Sequence, residues 1–491
     1  MTNILFSLAP ESILTITALL VLGLGVSVPN SRSLITSAAL LGGLIAAAAI
    51  LLFPMDANLL HGMVVINPLA RIFKLVILGL SLVSVVFASE SFPKNHFAES
   101  LALILFSTIG MMVLVGTEDL LMIFLALELT SIPLYILAAF DKESSGSAEA
   151  GLKYFLIGSV SSAFLLYGLS LIYGVTGSTN LLTISQLSGS PDSLLIAGIV
   201  LTLAGFGFKI AAVPFQIWAP DVYAGAPTAA AALIASGSKV AGIFILARIL
   251  TTGLGHWAGA AGWGQFEPGW APVLALMAAA SIVLGNVTAL VQSNVKRLLA
   301  YSAIAHGGYL LLGLCSANRE SLTAVLFYVV IYALTTAGAF GVVAIVEKQR
   351  GGSRLEDFDG LSKSSPVLAL CLLVFFISLA GIPPLAGFFG KFYLFTSALA
   401  NGQHLWLVIV AIAMNAVSLY YYLIVLKHAF VLPAPDDIRP ANAPASKILV
   451  AALALAVLAL GLAPDLLLKP ISVAGKTPPH IATSTVPPND Q

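Results

Sequence analysis

Fourteen apolar runs, most of them about as long as a membrane is thick, follow one another along this sequence with only short polar breaks between them. They cover residues 8–28, 34–53, 68–88, 99–116, 118–139, 154–175, 194–217, 228–252, 271–291, 298–315, 321–346, 366–398, 405–426 and 448–468. A hydrocarbon layer about 30 Å thick takes roughly 20 residues of helix to cross. The runs do not alternate apolar and polar residues as barrel strands would. Only 9% of the 491 residues are charged and 59% are hydrophobic, whereas a soluble domain carries about 25% charged residues. The chain is therefore expected to be an all-α polytopic membrane protein of about 14 transmembrane helices. Its first run has neither a basic n-region nor an A-x-A-like cleavage site and reads as a retained helix.

Two cysteines, Cys315 and Cys371, fall inside apolar runs and far from any C-x-x-C spacing. They read as small core residues, too few for an iron–sulfur cluster, which usually takes four. No strand is available to carry a Walker or Rossmann glycine fingerprint. Redox, metal and nucleotide sites are thus not expected on this chain, and neither is nucleic acid.

The basic residues predict an orientation. With the N-terminus outside, the inward loops collect Arg32, Lys94, Lys142, Lys153, Lys296, Arg297, Lys348, Arg350, Arg354, Lys363, Lys427, Arg439 and Lys447. The outward loops and tail collect only Arg319, Lys469 and Lys476. The positive-inside bias then places both termini outside. Of the six cations left within spans, Arg71, Lys74 and Arg248 lie near span ends and are expected to snorkel. The loop 347–365 reads as a solvated connector, and the Pro- and Thr-rich tail beyond Lys469 as loose chain.

Four charges cannot reach water. Glu128 sits near the middle of its span, within ALELTSIPLYIL. An acid or lysine at a helix centre costs about 2.5 to 3.5 kcal/mol on insertion scales, so it normally faces a cavity or a partner. Lys209 lies in GFGFKIAAVPFQIWAPDVYAGAPT, where Pro214 and Pro220 follow and Gly205 and Gly207 precede. Proline removes a backbone donor, and a broken helix is tolerated at membrane depth only against protein or a wet cavity. Lys391 follows Pro383 and Pro384 in SLAGIPPLAGFFGKFYLF, so helices 7 and 12 are both expected to be broken near a lysine. Paired interruptions five helices apart suit two inverted five-helix repeats. Lys239 is flanked by Ser236, Gly237 and Ser238, which leave room for water or for a close helix contact. His306, also near mid-helix, could pass a proton near neutral pH or simply bridge helices. Burial disfavours the charged form of a lysine and a nearby carboxylate restores it. A row of such groups suits a proton relay, the alternative being ion pairs that only hold helices together.

The motifs ALELTSIPLYIL, KIAAVPFQIWAPDVYAGAPT, SNVKRLLAYSAIAHGGYLLLG and AGIPPLAGFFGKFYLF together resemble the antiporter-type membrane subunits of respiratory complex I, over most of the chain. Among these the chain is most similar to the subunit N family, counterpart of mitochondrial subunit 2. It has no room for a long C-terminal lateral helix, and it carries Lys391 where the middle relative typically has glutamate. The resemblance implies that Glu128 pairs with Lys209, that Lys239 connects, and that Lys391 is the outlet, with His306 less securely a relay on helix ten. It implies residues 1–98 as three N-terminal helices, 99–252 and 271–426 as the two repeats, and 448–491 as a last helix and tail. NADH, FMN, iron–sulfur clusters and quinone would reside on partner subunits, with small membrane subunits and further antiporter-like chains as neighbours in a bacterial inner membrane. A multi-subunit cation/proton antiporter is the competing resemblance.

Overall fold

A computed structural model of the chain describes residues 7–28, 31–53, 56–93, 95–187, 189, 192–262, 265–316, 318–400, 404–434 and 443–475. Lys94, Arg439, Lys476 and the rest of the tail lie outside the described residues. The first six helices are α1 (Ala9–Ser27), α2 (Arg32–Leu52), α3 (Pro68–Ser91), α4 (Phe97–Val115), α5 (Leu120–Ala138) and α6 (Ser145–Thr176). Two interrupted helices follow: α7 (Ser193–Ile210 and Trp218–Gly225) and α8 (Thr228–Ala235 and Gly237–Arg248). After them come α9 (Trp270–Ala289), α10 (Val295–Cys315) and α11 (Arg319–Arg350), then α12 in two halves (Pro366–Ala380 and Ala386–Leu399). The remainder is α13 (Leu405–Phe430), α14 (Pro444–Leu462) and a short α15 (Asp465–Ala474). Among the described residues thirteen helices are long and apolar enough to cross a membrane, and the first half of α12 is a shorter apolar helix. Two small antiparallel hairpins, Ala57–Leu59 with Val64–Ile66 and Ala260–Gly262 with Gln265–Glu267, lie between helices.

Polar residues set the helix boundaries. The side chains of Asn67, Asp119, Ser144, Asp192, Asn294 and Asn318 each accept a backbone N–H at the start of a helix, satisfying a donor that has no intrahelical partner. At the other end, α6 and α11 stop at the left-handed glycines Gly177 and Gly351, where a glycine suffers no Cβ penalty. Burial then sorts the helices. The most apolar stretches of α10 and α11 are 94% buried and that of α8 is 100% buried, against 33% for α1, α6, α13 and α14. Three helices therefore form a central wall with the rest around it. Gly237 is part of the reason: a Cβ there would sit 3.3 Å from the Met111 sulfur of α4, so the small residues before Lys239 serve close packing. Cys315 and Cys371 are buried as small core residues.

Two stretches of the chain share local architecture. The strand-like link before α5 bridges to the link after α6, Leu120 N–H donating to Thr179 and Leu181 N–H to Glu118, 2.8 and 2.9 Å. The link before α10 bridges in the same manner to the link after α11, Val295 N–H donating to Ser353 and Leu355 N–H to Ser293, 2.8 and 2.9 Å. Helices α6 and α11 both have 32 residues. Both α7 and α12 break at a left-handed residue, Ala211 (φ 57°) and Gly381 (φ 79°). Beyond it Ala212 N–H returns to Gly207 and Ile382 N–H to Ile377, 2.7 and 3.2 Å.

The connector 347–365 keeps Lys348, Arg354, Glu356 and Lys363 exposed, as a solvated connector does, and is anchored at Phe358 and Leu361, which are fully buried. Arg350 of α11 donates to the carbonyls of Asp357 and Asp359 at 2.8 Å each, and His428 of α13 meets the Asp359 carboxylate at 2.6 Å. One expectation is corrected. Lys74 does not snorkel: it is 3% exposed and pairs with Glu11 of α1 at 2.6 Å, because a carboxylate within reach offsets desolvation better than a stretched side chain does. Arg248 likewise pairs with Glu118, while Arg71 meets Asp56 at 3.1 Å and stays partly exposed.

Candidate functional site

Three buried lysines and a half-buried acid, Glu128, lie where α5, α7 and α12 meet the central wall. Lys209 is the penultimate residue of the first half of α7, and its chain past Ile210 turns away through Ala211 and Pro214. Its stem lies against Gly242 of α8, where a Cβ would come within 3.3 Å. The ammonium donates to Ser131 Oγ of α5 at 2.9 Å, and Ser131 in turn donates to Leu127 O at 2.6 Å. Ser131 stands three residues after Glu128 and so on the same face of the helix. Glu128 itself accepts from the Ser162 hydroxyl of α6. Among the described residues no ion pair joins Glu128 to Lys209; the expected pair is replaced by two serine contacts, one to each charge. At the break the Phe208 carbonyl accepts the Ala211 N–H at 3.0 Å and, from the second half, Trp218 Nε1 at 3.1 Å.

Lys239, 2% exposed, donates to the Ala303 carbonyl of α10 at 2.5 Å and lies 5.1 Å from the centre of the Tyr332 ring. An ammonium over an aromatic face is held by the ring quadrupole, more strongly when desolvated. Tyr332 is also the neighbour of His306, their ring centres 5.1 Å apart. His306 Nδ1 contacts the Tyr328 hydroxyl at 2.5 Å and its Nε2 contacts the Tyr422 hydroxyl at 3.2 Å. Tyr422 shares a 2.5 Å contact with Ser302. On its other side His306 meets Tyr309 edge to face, centres 5.6 Å apart, and Lys391 lies 5.1 Å from the centre of that same Tyr309 ring. Lys239 and Lys391 are thus linked through Tyr332, His306 and Tyr309 in unbroken contact.

Lys391, on the second half of α12, reaches back across the break. Its ammonium donates to Leu379 O at 2.7 Å, a carbonyl at the end of the first half, and to Asn415 Oδ1 of α13. Pro383 and Pro384 lie in the intervening turn, and Gly387 N–H donates to Ser378 Oγ at 3.1 Å. Among the described residues no carboxylate touches Lys239 or Lys391; their partners are backbone carbonyls, the Asn415 amide and rings.

Sequence reasoning located every one of these charges and missed what holds them. Ser131, Ser162, Asn415, Tyr309, Tyr328, Tyr332 and Tyr422 carry no charge, and their partners lie on other helices. Faint signals existed for Ser131, a hydroxyl one turn from Glu128, and for Ser162 on the next helix. Further pairs stand nearer the ends of the spans, away from this cluster. On the side where α5 ends, Asp221 binds Lys153 at 2.6 Å and Arg297 at 2.5 Å, and Lys296 binds Glu347 at 3.1 Å.

Residues 117–416 match a family model described as NADH:quinone oxidoreductase/Mrp antiporter, TM. The chain is 48% identical over 440 residues to a protein of Acidobacterium capsulatum named NADH-quinone oxidoreductase subunit N 2, covering 87% of this chain and 89% of that one. It superposes with a TM-score of 0.79 and 35% identity on a chain in the structure of respiratory complex I from Thermus thermophilus, covering 94% and 98% of the two chains. A chain of the Mrp complex from a Dietzia species gives a TM-score of 0.84 at 23% identity over 96% and 97% of the chains, a likeness that shows the fold alone. By extent of match and identity together, this chain belongs to the subunit N family of NADH-quinone oxidoreductases.

Proposed function

We propose that this chain is the proton-translocating, antiporter-like subunit N of an NADH:quinone oxidoreductase. It relays protons along Glu128, Lys209, Lys239, His306 and Lys391 while NADH oxidation and quinone reduction occur on other subunits. The observation that carries this reading is the contact chain from Lys239 through Tyr332, His306 and Tyr309 to Lys391. These ring contacts align two buried ammonium groups, neither paired with a carboxylate among the described residues, on either side of a histidine that is hydrogen-bonded to Tyr328 and Tyr422, and water between the polar atoms would complete the path. Purely structural charges would be expected to be neutralised by direct pairs, as Lys74 is by Glu11.

On this reading the chain is a translocase subunit with no redox centre of its own, and FMN, iron–sulfur clusters and quinone are held by partners. Small membrane subunits and further antiporter-like chains flank it in a bacterial inner membrane, with both termini outside. Residues 99–252 and 271–426 act as two five-helix repeats after three N-terminal helices, with 448–491 closing the chain. The bridged links around α5–α6 and α10–α11, and the breaks in α7 and α12, support that division. An odd number of helices per repeat makes the copies run in opposite directions.

The test is Lys209→Ala in the assembled complex, reconstituted in vesicles and driven with NADH. Proton transfer per quinone reduced is expected to fall, and an unchanged ratio would overturn the relay. In the competing reading, a cation/proton antiporter subunit, NADH-dependent quinone reduction would not copurify with the chain.

A further inference from the structure

A cavity of about 530 Å³ opens between the start of α11, the end of α12 and the short α15. Its wall carries Arg319, Glu320, Thr323, Tyr393, Thr396 and Lys469. Thr323 and Thr396 each lie about one turn from a helix end, so the cavity sits at the depth of lipid head groups. Arg319 and Lys469 are two of the three cations that the positive-inside rule counts on the outward side. Arg319 donates to Gly475 O at 2.9 Å, and Lys469 meets Asp465 at 2.7 Å. A guanidinium and an ammonium both carry more donors than these contacts use. Glu320 meets no cation among the described residues. It shares a helix face with Thr323, whose hydroxyl donates to Arg319 O at 3.1 Å and keeps its lone pairs. The cavity thus offers donors on one side and acceptors on another, and with Asp465 its charges cancel. Leu466 and Val473 of α15 and Phe392 of α12 are exposed nearby, as befits a helix lying in the interface with its apolar side toward lipid.

We propose that this cavity binds the head group of an aminophospholipid, its phosphate on Arg319 and Lys469 and its ammonium on Glu320 and Thr323. Arginine and lysine give a phosphodiester charge-assisted hydrogen bonds, and basic pockets between helices at a membrane surface hold head groups in this way. The carboxylate of Glu320 selects within that class. It attracts a primary ammonium and repels a head group that is anionic only, such as phosphatidylglycerol. Tyr393 stands at the depth where an amphipathic ring faces both head group and hydrocarbon, and an acyl chain lies along Phe392. A free phosphate would meet the same two cations but gain nothing from Glu320 or from the apolar surface. A lipid so seated joins α11 and α15 to the half of α12 that carries Lys391. On the orientation proposed above it belongs to the outer leaflet.

The test is photolabelling of the assembled complex in phosphatidylcholine vesicles that contain a phosphatidylethanolamine with a diazirine high on one acyl chain. Label is expected on the peptide that holds Phe392 and Tyr393. Unlabelled phosphatidylethanolamine should displace it about threefold better than phosphatidylglycerol does, the strength of a partly exposed ion pair. Arg319→Gln combined with Lys469→Gln should cut this label about tenfold and leave label elsewhere on the chain unchanged. Glu320→Gln should abolish the preference between the two lipids. All three side chains are exposed, so these substitutions spare the fold. Label that survives the double substitution, or that is indifferent to head group in the unaltered chain, would mean ordinary boundary lipid and overturn the site. Absence of label from this peptide would mean that a neighbouring subunit covers the cavity, and displacement by inorganic phosphate would mean a site for the free anion; either result overturns the proposal as well.

Discussion

The two broken helices turn through nearly the same backbone and treat their lysines in opposite ways. In α7 the lysine precedes the left-handed residue, on the first half, and a tryptophan from the second half adds a donor to the Phe208 carbonyl. In α12 the lysine follows the break, on the second half, and itself satisfies the Leu379 carbonyl. Their surroundings differ to match. Lys209 rests on a serine beside a carboxylate, whereas Lys391 rests on a carbonyl, an amide and a tyrosine ring. At the distance from its cap where α5 has Glu128, α10 has Ala303, whose carbonyl receives Lys239. A shared turn thus fixes where a lysine can be held, and the residues of neighbouring helices decide whether a full charge or only dipoles face it.

The sharpest way to break the comparison is to remove the lysines. Lys391→Ala is expected to lower NADH-driven proton transfer by more than tenfold, as Lys209→Ala does, with the complex still assembled. If Lys391→Ala pumps normally in vesicles, the second break is only structural. Next in size, Asn415→Asp gives Lys391 the carboxylate that the first half already has. A full counter-charge holds the lysine in its charged form, so transfer is expected to slow about tenfold. Asn415→Gln, which keeps the amide, should act less, and equal rates in the two variants would deny any role to the missing charge.

Smaller effects test the turns themselves through the melting of the purified complex. Trp218→Phe removes one of the two donors to the Phe208 carbonyl, which keeps the Ala211 N–H, and should cost about 1 kcal/mol, the net worth of one hydrogen bond. Gly381→Ala places a Cβ in a left-handed conformation and 3.0 Å from the Lys391 side chain, which should cost about 1 kcal/mol or slightly more. Ala211→Gly, at the matching place in α7, relieves the same backbone penalty at the cost of a freer unfolded chain. The two nearly offset, and the smallest change of the set is expected there. A large loss in Ala211→Gly would show that the two turns are not equivalent.

Much of this could be read before any coordinates. Apolar length located the spans, prolines beside lysines located both breaks, and the cost of a charge in hydrocarbon singled out Glu128, Lys209, Lys239 and Lys391. Snorkelling failed for Lys74, because its depth is measured along α3 while its partner Glu11 belongs to α1. The connector is solvated at Lys348, Arg354, Glu356 and Lys363 as its charges suggest, but the way Arg350 folds it, through the carbonyls of Asp357 and Asp359, was not legible. Ser162 and Glu128 are on adjacent helices and could have been guessed as neighbours; Lys239 with Ala303, or His306 with Tyr422, could not.

By itself the sequence determined that the chain lives in a bilayer, that prolines interrupt two of its apolar runs, and that three lysines lie too deep in their runs to reach water. These are local properties, set by the hydropathy of consecutive residues and by the missing N–H of proline. Only the tertiary structure decided what each charge touches: a serine for Lys209 in place of the acid, dipoles for Lys391, and tyrosines between two lysines. In hydrocarbon a charge is held by whatever polar atom the next helix presents, and helix packing brings those atoms together from distant parts of the chain.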